Sequence, residues 1–371
     1  MEAAYPNGGE LTLALRGRPR DSGVAAGGGL GQQLTVHIIE PISPPTMSIV
    51  LKVRFHDTTK GCERIAVLKL FDRRFSPEVR RRRNPLYDED AQAAWCEYVQ
   101  AGKAEALFAD TDPSSEEDPE TGAKTKRVRT PAELRMKKGK REGIIQWDCR
   151  DVLISETRAY SKLSHLQGRY IPRLLAEVHP TIPTPPELPK SASYRHDYFD
   201  IGGVLLEYID GFNLSELGVT ETSIPKEKWH PIIQQAVDAA RYINDAGVVK
   251  MDCQPRNVVV ERETLRPFHI DFGLCVFAED MGWEKFGERR LLKDNPRAIG
   301  IIMQNRMRSA GTVLADFRYV RRDWGRFGSM LTRLSLEMTS WSAQSIGVVV
   351  AVGVFAVEVI QRGLYVIRGR R

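Results

Sequence analysis

The chain has 371 residues, which is long enough for one large two-lobed domain or for two smaller domains. With 42% hydrophobic, 27% charged and 8% aromatic residues, the composition excludes wholesale disorder, a collagen-like repeat and a protein with many membrane spans. The net charge of +6 sets 54 Lys and Arg against 48 Asp and Glu, an excess too small to predict nucleic-acid binding.

The cysteines are odd in number and scattered, without the paired spacing of a metal site. This usage predicts reduced thiols in a cytoplasmic protein and argues against a disulfide scaffold or a structural zinc site. The cysteines are Cys62, Cys96, Cys149, Cys253 and Cys275. The N-terminal residues carry early acids and only a short apolar run, so we expect no secretory signal.

The first 33 residues are rich in glycine and show no sustained hydrophobic period, which predicts a flexible lead. Three runs rich in Val, Ile and Phe follow, separated by breaks that contain Pro or Gly. This pattern predicts three neighbouring antiparallel strands. The runs begin at Leu34, Met47 and Glu63.

Residues 73–142 carry a basic, an acidic and a second basic block, which predicts a charged surface insertion. Apolar residues at helical spacing favour a short helix within it, at residues 90–108. We interpret the basic runs at residues 80–83 and 137–141 as solvated loop, since charge runs usually face water. Docking to nucleic acid, an acidic membrane or a localisation receptor is the alternative.

A long helix is predicted at residues 144–166, where apolar residues recur near a period of 3.6. Apolar runs at residues 173–179 and 202–211 are typical of strands, and a second helix is predicted at residues 226–246. The order of strands, helix, strands and helix favours an α+β fold in which a small sheet lobe precedes a mainly helical lobe.

Three polar residues stand at the ends of apolar runs in the segment VVKMDCQPRNVVVERETLRPFHIDFGLCVF. They are Asp252, Asn257 and Asp271, and a short turn between the runs could bring them together. Phosphoryl transfer needs one acid to orient or deprotonate a hydroxyl, and an amide and a second acid to hold Mg²⁺ on the phosphates. A turn whose side chains bond their own backbone is the alternative. His269 is interpreted as a structural histidine.

Two motifs in this segment resemble those of the protein kinase-like superfamily. KMDCQPRN resembles the catalytic loop HRDxxxxN, and IDFG matches the DFG element. In texture the chain is similar to fungal kinase-like proteins of undefined substrate. The resemblance covers about residues 34–280 and implies a two-lobed protein kinase-like fold that binds ATP and Mg²⁺ between its lobes. It implies Asp252 as catalytic base, and Asn257 and Asp271 as magnesium ligands.

Three further elements extend the resemblance. Lys69 in AVLKLF resembles the lysine of the VAIK strand, which contacts the α and β phosphates, and Glu156 on the long helix resembles its ion-pair partner. LLEYIDG resembles the hinge, which implies that backbone groups around Glu207 and Tyr208 bond the adenine. A solvent-facing strand lysine and a solvated helix glutamate are the alternatives for Lys69 and Glu156.

The sequence also departs from the pattern of protein kinases. Lys250 and Met251 stand where His and Arg are expected, and Gln254 replaces a lysine that contacts the transferred phosphate. Prolines occupy the turn between the first two predicted strands in place of a glycine-rich loop, and no APE motif follows DFG.

Two functions follow from this combination. The first is an ATP-dependent phosphotransferase that moves the γ-phosphate to a hydroxyl of a protein or a small molecule. The alternative is a pseudokinase that serves as a nucleotide-binding or partner-binding scaffold. The domain boundaries that accompany both are a lead at residues 1–33, a sheet lobe at 34–206, a helical lobe at 207–337 and a C-terminal segment at 338–371.

The C-terminal segment is apolar with a basic end. Residues 338–357 carry no formal charge, and a helix of this length could span a bilayer. The strongly apolar part, residues 346–357, is shorter and suits a buried core helix better. A membrane contact or anchor through residues 338–357 is the alternative to a core helix.

Overall fold

The structure, a computed structural model, describes residues 4–17, 33–42, 45–57, 61–83, 87–109, 130–181, 198–221, 223–309, 311–312, 314 and 317. All of these belong to the unit formed by residues 1–318. The predictions for residues 18–32 and 338–371 fall outside the described residues. Within the described part of the chain, no helix is both long and apolar enough to cross a membrane.

Six antiparallel strands close into a barrel in the order β1-β2-β3-β4-β6-β5, and β5 returns to pair with β1. The strands are β1 (Glu10–Gly17), β2 (Gln33–Pro41), β3 (Ile49–Asp57), β4 (Cys62–Leu70), β5 (Leu174–Pro180) and β6 (Gly203–Glu207). Every second residue faces the barrel interior, because side chains alternate along a strand. Leu51, Val53 and Phe55 of β3 show this alternation and are fully buried.

The prediction of an unstructured lead is wrong for β1. Leu13 and Leu15 alternate with small and polar residues and are buried in the barrel core. A period-two pattern of this kind forms a half-buried strand when partners are available on both sides, and β1 pairs with both β2 and β5. The three apolar runs from Leu34 and the runs at residues 173–179 and 202–211 predict five strands, β2 to β6, and β1 adds a sixth strand that closes the sheet.

The described residues between β4 and β5 form four α-helices: α1 (Pro77–Arg82), α2 (Glu89–Gln100), α3 (Ala104–Ala109) and α4 (Pro131–Lys162). The helix predicted at residues 90–108 is divided into α2 and α3 at Gly102, whose φ of 69° ends the first helix. α4 begins at Pro131, well before the predicted residue 144. Thr130 and Glu133 form a capping box at its start, which stabilises this N-terminus.

The prediction of a solvated loop at residues 80–83 is wrong for the loop and for Arg80, whereas Arg81 and Arg82 face solvent as predicted. These residues belong to α1 and its C-terminal end, and Arg80 is buried against Glu142. Arg83 donates two hydrogen bonds of 3.0 Å to the carboxylate of Asp148. A buried charge needs a partner, and α4 supplies both acids. The second basic run, residues 137–141, is part of α4 itself.

The remaining described elements mix short strands with helices, as expected for an α+β chain. They are β7 (Gly211–Asn213), α5 (Lys226–Asp245), β8 (Val248–Lys250), β9 (Val258–Glu261), β10 (Pro267–His269), β11 (Cys275–Phe277), α6 (Ala278–Lys293) and α7 (Asn295–Ser309). β7, β9 and β10 form one small sheet, and β8 pairs with β11 in another. The predicted helix at residues 226–246 is confirmed as α5.

His269 makes the stability of this part of the fold sensitive to acid. Its Nε2 lies 2.9 Å from the carbonyl oxygen of Ala236, and the buried Nδ1 has no hydrogen-bond partner among the residues that the structure describes. Burial lowers the pKa of His269 to about 3. The unfolded chain therefore binds a proton near the ordinary pKa of about 6.5 that the folded chain does not take up, so the free energy of unfolding falls as the pH drops below about 6.5.

His269→Gln removes this titration. We expect the wild type to lose about 2 kcal/mol more than the variant between pH 7 and pH 5, because one proton is linked to unfolding over that interval. Urea denaturation at a series of pH values measures the difference. Parallel pH profiles for the two proteins would show that His269 is not buried in its neutral form.

Candidate functional site

Lys69, Glu156 and Asp271 meet although they are far apart in the chain. Lys69 lies near the end of β4, on the face opposite the barrel core, because its neighbours Leu68 and Leu70 fill that core. Its Nζ is 2.7 Å from Oε2 of Glu156 on α4 and 2.7 Å from Oδ1 of Asp271. Both the ammonium and the Glu156 carboxylate are buried, so the interpretations of Lys69 and Glu156 as solvated residues are wrong.

The electrostatics of the three groups follow from burial and mutual contact. Burial alone would lower the pKa of Lys69, but the charges of Asp271 and Glu156 raise it above its ordinary value. The charge of Lys69 lowers the pKa of Asp271 to about 2. Burial raises the pKa of Glu156, and Lys69 offsets part of that effect. Lys69 and Asp271 therefore remain charged over the whole physiological pH range.

The loop that carries Asp271 is held by α4. The amide of Phe272 donates to Oε2 of Glu156 over 3.0 Å, and the hydroxyl of Ser155 donates to the carbonyl of Phe272 over 3.0 Å. A Cβ on Gly273 would lie 2.6 Å from Cγ1 of Val152, so only glycine allows this close approach. Asp271 itself has a φ of 63°, a left-handed conformation that aspartate tolerates better than most residues.

Asp252 and Asn257 form a second polar group next to this loop. The amide nitrogen of Asn257 donates to the backbone carbonyl of Asp252 over 3.0 Å and to its Oδ2 over 3.2 Å. Arg256 also donates to Oδ2 of Asp252, over 2.9 Å. The amide of Ile270 donates to the carbonyl of Asn257 over 3.0 Å, which places the residue before Asp271 directly against the turn that carries Asn257.

Lys250 joins the two loops and was not recognised as a site residue from the sequence. It is buried, its Nζ donates to the carbonyl of Ile270 over 2.5 Å, and it lies 4.9 Å from the centroid of the Phe272 ring. A lysine at the end of a buried apolar run was the available signal, because such a lysine needs an internal acceptor. Lys250 therefore helps to fix the backbone from which Asp271 projects.

Glu207 is the last residue of β6, which lies beside β4, and Tyr208 follows it. The amide of Glu207 donates to the carbonyl of Arg173 over 2.9 Å, and its carboxylate accepts from the backbone and the guanidinium of Arg173 over 3.0 and 2.7 Å. The Nζ of Lys52 lies 4.7 Å from the centroid of the Tyr208 ring. The backbone N–H of Glu207 is thus already in use within the protein.

The donor set of this site fits Mg²⁺, which prefers oxygen ligands. Asp271 is ionised, and 43% of its side chain remains exposed although one oxygen contacts Lys69. The amide nitrogen of Asn257 points to Asp252, an orientation assigned from its hydrogen bonds, so its amide oxygen is directed elsewhere. No cluster of three or more His, Cys, Asp or Glu suited to a metal occurs in the part of the chain that the structure describes. An Asp and an Asn form the candidate pair instead.

Short segments of this chain are similar to protein kinases. It is 31% identical over 71 residues to "Probable serine/threonine-protein kinase fnkB" of Dictyostelium discoideum, which covers 19% of this chain and 13% of that protein. It is 30% identical over 79 residues to CBL-interacting protein kinase 1 of Oryza sativa subsp. japonica, which covers 21% of this chain and 17% of that protein. The matches span only a small part of each relative, and over that part they support a relationship to the protein kinase-like superfamily.

No protein-family model matches the chain. Among solved structures, the kinase domain of Mycobacterium tuberculosis PknI matches with a TM-score of 0.30 and 12% sequence identity. That match covers 64% of this chain and 58% of the PknI chain.

Proposed function

We propose that the protein is an ATP- and Mg²⁺-dependent phosphotransferase with a protein kinase-like fold, which moves the γ-phosphate of ATP to a hydroxyl of a protein or a small molecule. The observation that carries this proposal is the contact of Lys69 with both Glu156 and Asp271 at 2.7 Å. A lysine paired with a helix glutamate, next to an aspartate that can hold Mg²⁺, is the arrangement that positions a lysine for nucleotide phosphates.

Each polar residue has a defined task in this proposal, and Asn257 has two. Lys69 binds the α and β phosphates, and Glu156 keeps its ammonium in place. Asp271 and Asn257 would hold Mg²⁺, which when bound neutralises charge on the phosphates. Asp252 orients the acceptor hydroxyl and takes up its proton at the carboxylate, while Asn257 fixes that carboxylate through its amide nitrogen.

The nucleotide would lie between the barrel and the helices that follow it, in the two-lobed layout proposed for residues 34–206 and 207–337. Backbone groups around Glu207 and Tyr208 would bond the adenine. Because the Arg173 carbonyl already accepts the N–H of Glu207, we assign this contact to the Glu207 carbonyl and the Tyr208 backbone. A cytoplasmic location for the chain stays part of the proposal.

A pseudokinase is the second candidate, and two observations favour it. Gln254 replaces a lysine and so removes a positive charge from the region of the transferred phosphate. The turn between β2 and β3 carries prolines, which lack the amide N–H groups that cradle phosphate. The missing lysine is not the only source of positive charge in this region, since the guanidinium of Arg256 lies 2.9 Å from Asp252, the proposed base.

Transfer of a labelled γ-phosphate separates the two candidates. Purified full-length protein is incubated with ATP labelled on the γ-phosphate, with Mg²⁺ or with a chelator, in the presence of a protein extract or of a mixture of small hydroxyl compounds. A phosphotransferase produces Mg²⁺-dependent label on an acceptor or as free phosphate. Binding of ATP without loss of its γ-phosphate under all these conditions would assign the chain to the pseudokinases.

A further inference from the structure

A buried charge cluster, formed by Arg73, Arg80 and Glu142, lies outside the candidate site. The three side chains are 4%, 3% and 1% exposed. The guanidiniums of Arg73 and Arg80 both donate hydrogen bonds to the carboxylate of Glu142, and one of those from Arg80 is 3.0 Å long. Arg80 also donates to the carbonyl of Arg73 over 3.2 Å. Arg73 reaches Gln92 on α2 as well, and the Tyr87 ring lies within 6 Å of both guanidiniums.

The same part of α4 packs closely against α2 and α3. A Cβ on Gly139 would lie 2.5 Å from the carbonyl oxygen of Ala94, and one on Gly143 would lie 2.4 Å from the side chain of Leu107 and 2.6 Å from the ring of Trp95. Glycine destabilises the interior of a helix, but at these two positions it allows the neighbouring helices to pack closely. The N-terminal half of α4 is therefore placed by the segment that precedes it in the chain.

The two halves of α4 are mechanically linked. Glu142 and Glu156 lie on one uninterrupted helix, and the rise per residue puts them about 21 Å apart. A tilt at the Glu142 end would displace Glu156 from Lys69, since a helix moves as a rigid element. The cluster contains two guanidiniums and one carboxylate, so Glu142 is the acceptor on which the docking of both arginines depends.

We propose that Glu142 is a positioning residue, whose buried contacts with Arg73 and Arg80 hold α4 where Glu156 meets Lys69. Arg73 and Arg80, through Glu142, then set the Lys69–Glu156 contact from within the chain. The inference rests on the proposed function only for the role that it gives to the Lys69–Glu156 contact.

The test measures the reactivity of Lys69 with acetic anhydride, followed by mass spectrometry of the Lys69 peptide. The full chain is used, at a temperature well below unfolding of every variant. We expect Glu142→Gln to raise the labelling rate of Lys69 at least five-fold, because Lys69 loses a carboxylate partner and becomes more accessible. Glu97→Gln, which removes an exposed ion pair between α2 and Arg135 of α4, is the matched control and leaves the rate unchanged.

Ile299→Ala separates positioning from loss of stability. It truncates a buried residue of α7, which packs mainly on α5, and we expect it to lower the melting temperature without moving Glu156. Equal labelling of Lys69 in Glu142→Gln and the wild type, or in Glu142→Gln and Ile299→Ala, would overturn the proposal. If Glu142→Gln does not fold, Arg80→Lys, which keeps the charge and loses the forked hydrogen bonds, takes its place with the same expected direction. The readout uses no nucleotide, so a chain that binds no ATP but shows the effect would contradict the proposed function alone.

Discussion

Lys69→Met is expected to lower ATP turnover about 100-fold or more and to destabilise the folded chain. Turnover falls because the variant lacks the cation that stabilises charge on the phosphates. Stability falls because Glu156, which is fully buried, is left without its counter-ion, at a cost of about 3 kcal/mol. Steady-state assays and urea denaturation at pH 7 measure the two effects.

A double-mutant cycle tests whether the two effects have one cause. Glu156→Gln removes the carboxylate charge that Lys69→Met leaves unpaired. The double variant Lys69→Met/Glu156→Gln should therefore lose less free energy of unfolding than the sum of the two single losses. Turnover of the pair should stay as low as that of Lys69→Met. Additive losses of stability would contradict a direct interaction between Lys69 and Glu156.

Asp252→Ala is expected to reduce turnover by about 10² to 10⁴ while ATP still binds. In the proposed reaction this carboxylate takes up the proton of the acceptor, and loss of a general base has effects of about this size. Binding persists because the proposed contacts with the nucleotide come from Lys69 and from the Mg²⁺ that Asp271 and Asn257 would hold. Single-turnover transfer of γ-phosphate and calorimetric titration with ATP and Mg²⁺ measure the two properties separately.

Asp245→Asn is the control for Asp252→Ala, since Asp245 is an acid that pairs with Arg290 on the exposed side of α5. It should leave both binding and turnover unchanged. Turnover by Asp252→Ala equal to that of the wild type would remove Asp252 from the role of base. A loss of ATP binding in Asp252→Ala would instead point to collapse of the loop that Asn257 shares with Asp252.

Local patterns in the sequence predict most of the sheet and the order of the site residues. Alternating buried residues identify β2, β3 and β4, since strand periodicity is a property of neighbouring residues. The contact of Asp252 with Asn257 could also be predicted from the sequence, because the two residues are close in the chain. The contact of Lys69 with Glu156 was inferred only through the resemblance, since it joins residues 87 positions apart.

The predictions that failed concern charges and weak periodicity. Arg80 was assigned to solvent because a run of arginines usually faces water, and nothing local to the run identifies Glu142 as its partner 62 residues away. β1 was missed because glycines surround it and its partners are distant. The start of α4 was missed because Gly139 and Gly143 interrupt the apolar period, and their use in packing shows only in the folded chain.

Magnesium-dependent stabilisation by ATP tests the central claim, that Lys69, Asp271 and Asn257 together form a nucleotide site. The unfolding of the full chain is followed with ATP alone, Mg²⁺ alone and both, for the wild type and for Asp271→Asn. At ATP about 100 times above its dissociation constant, the wild type should gain about 2.7 kcal/mol with Mg²⁺ present, and Asp271→Asn should gain much less. No stabilisation of the wild type by ATP and Mg²⁺, or equal stabilisation of both proteins, would contradict the account.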